Sequence, residues 1–128
     1  MESTSALVLF AHGARDVGWS LPLDRLRDAI AQLRPGVAIR TAFLELQPPG
    51  LPETLAELAA GGATRIDIAP IFWSQGGHIT RDLPQMLAAF AERAPRVRVR
   101  VLPVLANLPG MDAFVARALV GQIDAPPP

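Results

Sequence analysis

Apolar positions along the chain switch repeatedly between two periods. Ala6 to Ala11 is an unbroken apolar run, the mark of a strand covered on both faces. From Leu23 the apolar residues fall at Leu23, Leu26, Ile30 and Leu33, which is helical spacing, with Ser20 as the expected cap and Pro22 early. Pro35-Gly36 stops that helix, and Val37 to Leu44 reads as a second strand. Pro48-Pro49-Gly50 breaks the chain before a helix with Leu51, Leu55 and Leu58 on one face, and Gly61-Gly62 is its natural stop. Ile66 to Phe72 reads as a third strand, with Pro70 marking an irregular end. Thr80 is the expected cap of a helix carrying Leu83, Leu87, Phe90 and Ala91, closed by Pro95. Val97, Val99 and Val101 then alternate with Arg96, Arg98 and Arg100, so one face of this fourth strand is wet and the strand belongs at an edge. A last helix with Met111, Phe114, Val115 and Leu119 is expected to finish the fold, ahead of a proline tail over 125–128.

Four strand–helix pairs in strict alternation imply an α/β fold, with a parallel sheet between helices on both faces. Right-handed crossovers leave few topologies. A flavodoxin-like order, 2-1-3-4, suits a central first strand and an edge fourth strand. The 128-residue length fits a single domain, placed over residues 1–124, and no repeat or linker interrupts it.

Composition narrows the function classes. Half the residues are hydrophobic, which excludes disorder as the overall state. Twelve basic and twelve acidic side chains cancel, and binding to nucleic acid by counterion release needs a basic excess. There is no cysteine, so disulfides, thiolate metal sites and a cysteine nucleophile are excluded. Neither a signal peptide nor a run near the ~20 apolar residues of a membrane span is seen, so a cytoplasmic location without membrane attachment is expected.

The chain has two histidines, and each follows an apolar strand. His12 lies in Ala11-His12-Gly13-Ala14-Arg15-Asp16, and His78 in Ser74-Gln75-Gly76-Gly77-His78-Ile79-Thr80-Arg81-Asp82. In a 2-1-3-4 sheet their strands are neighbours, and both loops leave the carboxyl edge where the winding reverses, which is where open α/β sheets bind ligands. Glu45 ends the second strand on the same edge. Two imidazoles and a carboxylate can bind a divalent metal with positions left open, and they can move protons near neutral pH.

Each of these residues has a plainer alternative. A loop histidine beside glycine can be a hydrogen-bonding turn residue, and Glu45 a solvated strand end. Gly76-Gly77 can supply turn dihedrals or let a flat ligand approach the backbone. Arg15 and Arg81 each lie three residues after a histidine, suited to substrate carboxylates or to ion pairs with Asp16 and Asp82. Trp19 and Trp73 could stack on a planar ligand, but buried packing is the expected job of each. No phosphate-binding glycine loop follows a strand, and no Gly-x-Ser-x-Gly elbow exists. Ser74 near His78 makes a weak triad without an orienting acid.

Leu9-Phe10-Ala11-His12-Gly13-Ala14-Arg15-Asp16, then Ala42-Phe43-Leu44-Glu45, then Pro70 through Pro84 with its Gly-Gly-His-x-x-x-Asp-x-Pro segment closely resemble the short-form class II sirohydrochlorin chelatases. The likeness runs in order over about residues 6 to 120. It implies a three-layer chelatase-like domain and a lyase that inserts cobalt, nickel or iron into sirohydrochlorin, cobaltochelatase activity first among these. By the same resemblance His12 and His78 match the metal-handling histidines and Glu45 the active-site acid, with Arg15, Arg81, Gly76 and Gly77 on the substrate side. The metal is a substrate, no permanently bound cofactor is implied, and short members pair as homodimers. Ala14 departs from the small hydroxyl residue usual in the family, and the His-rich segment of some members is missing. The competing expectation is a non-catalytic metal- or tetrapyrrole-binding module on the same fold. A phosphotransfer role for His12 is disfavoured because Ala11, not arginine, precedes it.

Overall fold

The structure is a computed structural model describing residues 4–74 and 76–127, without the side chains of Val17 and His78. Strands β1 (Ser5–Ala11), β2 (Ala38–Phe43), β3 (Arg65–Pro70) and β4 (Arg98–Val101) form one parallel sheet in the order β2-β1-β3-β4. Helices α1 (Leu21–Leu33), α2 (Leu51–Ala60), α3 (Gly77–Arg93) and α4 (Met111–Asp124) follow the four strands in turn. The expected α/β class and strand order are therefore the observed ones.

The alternation of side chains along β1 divides the core in two. Ala6, Val8 and Phe10 point to one face, where they meet Ile66, Ile68, Leu51, Leu55 and Leu58 of β3 and α2, and Ile79, Leu83 and Phe90 of α3. Leu9 and Ala11 point to the other, with Ile39, Phe43 and Leu23, and with Ile30 of α1 packed alongside. Every residue of β1 from Val8 to Ala11 is buried, as a strand covered on both faces requires. The wet face of β4 is equally clear: Arg98 and Arg100 are exposed, and Arg100 makes a two-pronged ion pair with Asp67 at 3.1 and 3.2 Å.

Two expectations are corrected. Thr80 does not cap α3, whose cap is Gly76, four residues earlier. The Thr80 N–H and hydroxyl both donate to the Gly76 carbonyl oxygen, at 3.1 Å each, so Thr80 completes the first turn from inside. His78 consequently lies in a helix turn, not a loop. The second concerns α4, none of whose side chains is buried. Phe114, Leu119 and Ile123 are 65%, 60% and 79% exposed. The segment after β4 makes a short 3-10 turn at Leu105–Asn107, and Gly110, at φ 83°, turns the chain so that α4 packs chiefly against that turn. The helix forms where its spacing predicts it, without completing the core.

Candidate functional site

The site is built where β1 and β2 run past their formal ends. The Leu44 N–H donates to the Ala11 carbonyl at 2.9 Å, and the Glu45 N–H to the His12 carbonyl at 3.1 Å. These bonds continue the β1–β2 ladder, which ends at Ala11 opposite Phe43. They fix the backbones of His12 and Glu45 side by side at the carboxyl edge. Both side chains are exposed.

Gly13 makes this approach possible. Its φ is 92°, in the left-handed region, and a Cβ there would collide with the Glu45 carbonyl oxygen. The next residue is held as well, since the Ala14 N–H donates to Gln47 Oε1 at 2.7 Å. Between these two ties Leu46 sits at φ 72°, a left-handed conformation that a leucine adopts only at a cost of about 1–2 kcal/mol. A strained residue bracketed by bonds from Glu45 and Gln47 is the pattern of a loop shaped for a task.

The His12 imidazole rests on the Phe72 ring, with centroids 4.5 Å apart and planes tilted by 58°. Phe72 is buried and meets Phe10 edge-on at 5.6 Å, so one side of the imidazole has an apolar floor anchored in the core. The residue as a whole remains exposed. Phe72 lies beyond β3, whose own end is tied in by the Ile71 N–H donating to the Phe10 carbonyl at 2.8 Å.

Beyond Phe72 comes the start of α3, which carries His78 at its second residue. The side chain of His78 lies outside the described part of the structure, as does all of Gln75. Gly76 and Gly77 do not supply unusual turn dihedrals: among the described residues positive-φ glycines are found at 13, 62 and 110 only. A Cβ at either position would meet nothing within 4 Å, so these two glycines leave a bare backbone surface at the positive end of the helix.

Arg15 and Arg81 are exposed. Asp16, a proposed ion-pair partner of Arg15, instead accepts the Gly18 N–H at 2.9 Å and caps the 3-10 turn Val17–Ser20. The expectation that both tryptophans are buried is not met, because Trp19 is 47% and Trp73 60% exposed. Trp73 and Ser74 border a recess of about 340 Å³ closed by Pro103, Val104 and Asn107 at the mouths of β3 and β4. Among the described residues, no three of His, Cys, Asp or Glu stand together as a metal cage.

Gln47 was invisible in the sequence, where it sits in a loop ahead of two prolines with no motif to mark it. Gln47→Ala is expected to lower stability by about 1 kcal/mol, the value of a typical hydrogen bond. For a domain of this size that is a fall of about 4 °C in melting temperature. Amide hydrogen exchange at Ala14 should quicken in the variant while the core strands stay protected.

With the geometry in place, the relatives of the chain can be set beside it. The CbiX family profile matches residues 6–121. A sirohydrochlorin cobaltochelatase of Methanosarcina acetivorans is 32% identical over 88 residues, covering 69% of this chain and 68% of that protein. Another, of Methanococcus aeolicus, is 32% identical over 82 residues, covering 64% of this chain and 57% of its own length. Among solved structures, a CbiX protein of Marinobacter aquaeolei VT8 superposes with a TM-score of 0.79 at 21% identity, over 94% of this chain and 98% of the other. The sirohydrochlorin chelatase SirB of Bacillus subtilis, solved with cobalt, superposes with a TM-score of 0.78 at 22% identity, and this chain covers 50% of it. At these identities the two structures speak for the fold, while the profile spans β1 to α4, including the His12–Glu45 edge and the turn that holds His78, and on that span the chain belongs to the CbiX family.

Proposed function

We propose that the protein inserts a divalent metal, cobalt foremost and nickel or iron by the same chemistry, into sirohydrochlorin or a closely related tetrapyrrole. The observation that supports this reading is the tie between the Glu45 N–H and the His12 carbonyl, which holds the backbones of two exposed residues side by side at the edge where the sheet reverses its winding. Cobaltochelatase relatives at 32% identity support the choice of reaction and metal.

Insertion exchanges two pyrrole N–H protons for one divalent ion, so the site must both deliver a metal and take protons. In this reading His12 and His78 hold the incoming ion through neutral imidazole nitrogens, which suit cobalt, nickel and iron alike. Glu45, or the imidazole that releases the metal first, accepts a proton as each metal–nitrogen bond forms. The Phe72 ring gives the His12 imidazole an apolar support on one side. Arg15 and Arg81 orient the carboxylates on the rim of the tetrapyrrole. The bare backbone of Gly76 and Gly77 lets the flat ring come close, at a helix end that favours negative charge. The metal is consumed as substrate, and the chain works as a homodimer in the cytoplasm, with residues 1–124 as one domain and 125–128 as a tail. No described helix is long and apolar enough to cross a membrane.

The test is an anaerobic insertion assay with purified protein and sirohydrochlorin, followed by the absorbance change on metalation. The expected result is turnover well above the spontaneous rate, fastest with Co²⁺, then measured with Ni²⁺ and Fe²⁺. Binding of sirohydrochlorin or metal with no acceleration for any of the three ions would overturn the enzymatic reading in favour of a binding module.

A further inference from the structure

The recess of about 340 Å³ at the mouths of β3 and β4 has no charged side chain among its lining residues, Trp73, Ser74, Leu102, Pro103, Val104 and Asn107. Val104 is buried and gives it an apolar wall, while an exposed indole, a hydroxyl and an amide stand around its opening. Among the described residues, neither the Ser74 hydroxyl nor the Asn107 side-chain amide has a hydrogen-bond partner in the chain.

The walls are held in place by backbone bonds. The Leu102 N–H donates to the Ile68 carbonyl at 2.8 Å, which ties one wall to β3. The Asn107 N–H donates to the Val104 carbonyl at 2.9 Å and closes the 3-10 turn. Between them Pro103 has its φ fixed by the ring. A recess formed in advance binds without the cost of ordering its walls.

Its position relates it to His12. Trp73 directly follows Phe72, whose ring meets the His12 imidazole at 4.5 Å. β1, β3 and β4 are successive neighbours in the sheet, so at the usual strand spacing the recess lies about 5–10 Å along the carboxyl edge from the end of β1. A macrocycle centred over His12 brings its rim, not its centre, to this place.

We infer that the recess between Trp73, Ser74 and Asn107 is the seat of one carboxylate arm of the tetrapyrrole, with the Trp73 indole against the pyrrole that bears it. The apolar stem of the arm meets Val104 and Leu102, and its oxygens accept from the Asn107 amide and the Ser74 hydroxyl. Arg15 and Arg81 attract carboxylates by charge, whereas this seat selects by shape and by neutral donors. The inference rests on the chelatase reading above and adds where one arm is held. Because the arm is remote from the N–H groups that exchange for metal, its seat binds ground state and transition state alike, so its loss raises KM and spares kcat.

The test measures sirohydrochlorin binding by calorimetry and cobalt insertion rates on the same proteins. Asn107→Leu should raise Kd and KM for sirohydrochlorin about 10-fold through the lost hydrogen bond. Asn107→Asp keeps the size of the side chain but sets a negative charge against the arm, and should raise both further, to about 30-fold. Trp73→Ala should raise both about 10-fold. In all three, kcat and the affinity for Co²⁺ should stay unchanged. Asn107 and Trp73 are exposed, so the fold should stand, as circular dichroism would show. Gln32→Glu, which adds the same charge near the far end of α1, should alter neither constant. Unmoved Kd and KM in Asn107→Asp and Trp73→Ala would overturn the seat and leave the chelatase reading standing. Equal effects of Asn107→Asp and Asn107→Leu would overturn a carboxylate as its occupant. A wild-type protein that binds sirohydrochlorin without inserting metal would overturn the activity, and the same Kd values would still decide the seat. No binding by the wild type would overturn both.

Discussion

Replacing His12 and His78 together with alanine is expected to bring cobalt insertion down to the spontaneous rate while the protein stays folded. Both positions lie at the carboxyl edge of the sheet, and His12 is solvent-exposed, so the loss of its imidazole removes little packing beyond its contact with the Phe72 ring. The Phe72 ring that supports it remains anchored on Phe10. One positioned proton-transfer group contributes about 10²–10⁴ in rate, and removing metal delivery as well should exceed the loss from either single change. Glu45→Gln keeps the shape of the loop and leaves the Glu45–His12 backbone bond untouched, so it isolates the carboxylate. If proton acceptance rests on Glu45, this variant should lose turnover while keeping its affinity for Co²⁺. The measurements are the insertion rate and cobalt binding by calorimetry. Full activity in the double-alanine variant would remove the histidines from the mechanism.

Gly13→Ala should be nearly as damaging although it deletes no functional group. Alanine would have to adopt φ 92°, which costs about 1–2 kcal/mol, and its methyl would strike the Glu45 carbonyl oxygen. Backbone atoms on both sides of that contact are pinned by hydrogen bonds, so relief requires the His12 and Glu45 segments to separate. A displacement of 1 Å at a reacting group can lower the rate about 10²-fold. The expected outcome is therefore an insertion rate down by about two orders of magnitude, with a melting temperature several degrees lower. Gly77→Ala supplies the contrast: a Cβ there meets nothing within 4 Å, and stability should hardly change.

The contrast between these glycines shows what could and could not be read from sequence. The strands and their order were legible because the switch between periods is strong and because β1, with no polar residue after Ser5, has to be central. The positions of His12, Glu45 and His78 at one edge followed from that order. The start of α3 was not legible, since Thr80 after two glycines has the look of a cap while its hydroxyl in fact bonds back to Gly76. The fate of α4 could not be read either. Helical spacing reports that an apolar face exists, but whether it is covered by the same chain depends on where the 102–110 segment leads. Gln47 was hidden for a further reason: its contact with Ala14 joins two loops that only the β1–β2 register brings together.

The arginines of β4 also bear on how the molecule behaves in a crowd. A sheet of this kind has an outer border whose unpaired amides and carbonyls invite another strand to add itself, and a run of valines alone would be a ready template for stacking. Here the border strand is four residues long, and guanidinium groups stand at alternate positions along it. A second copy of β4 paired in register would set like charges against each other in water. Association through strand addition is thereby discouraged at its first step, and contacts made by helices are left as the open route.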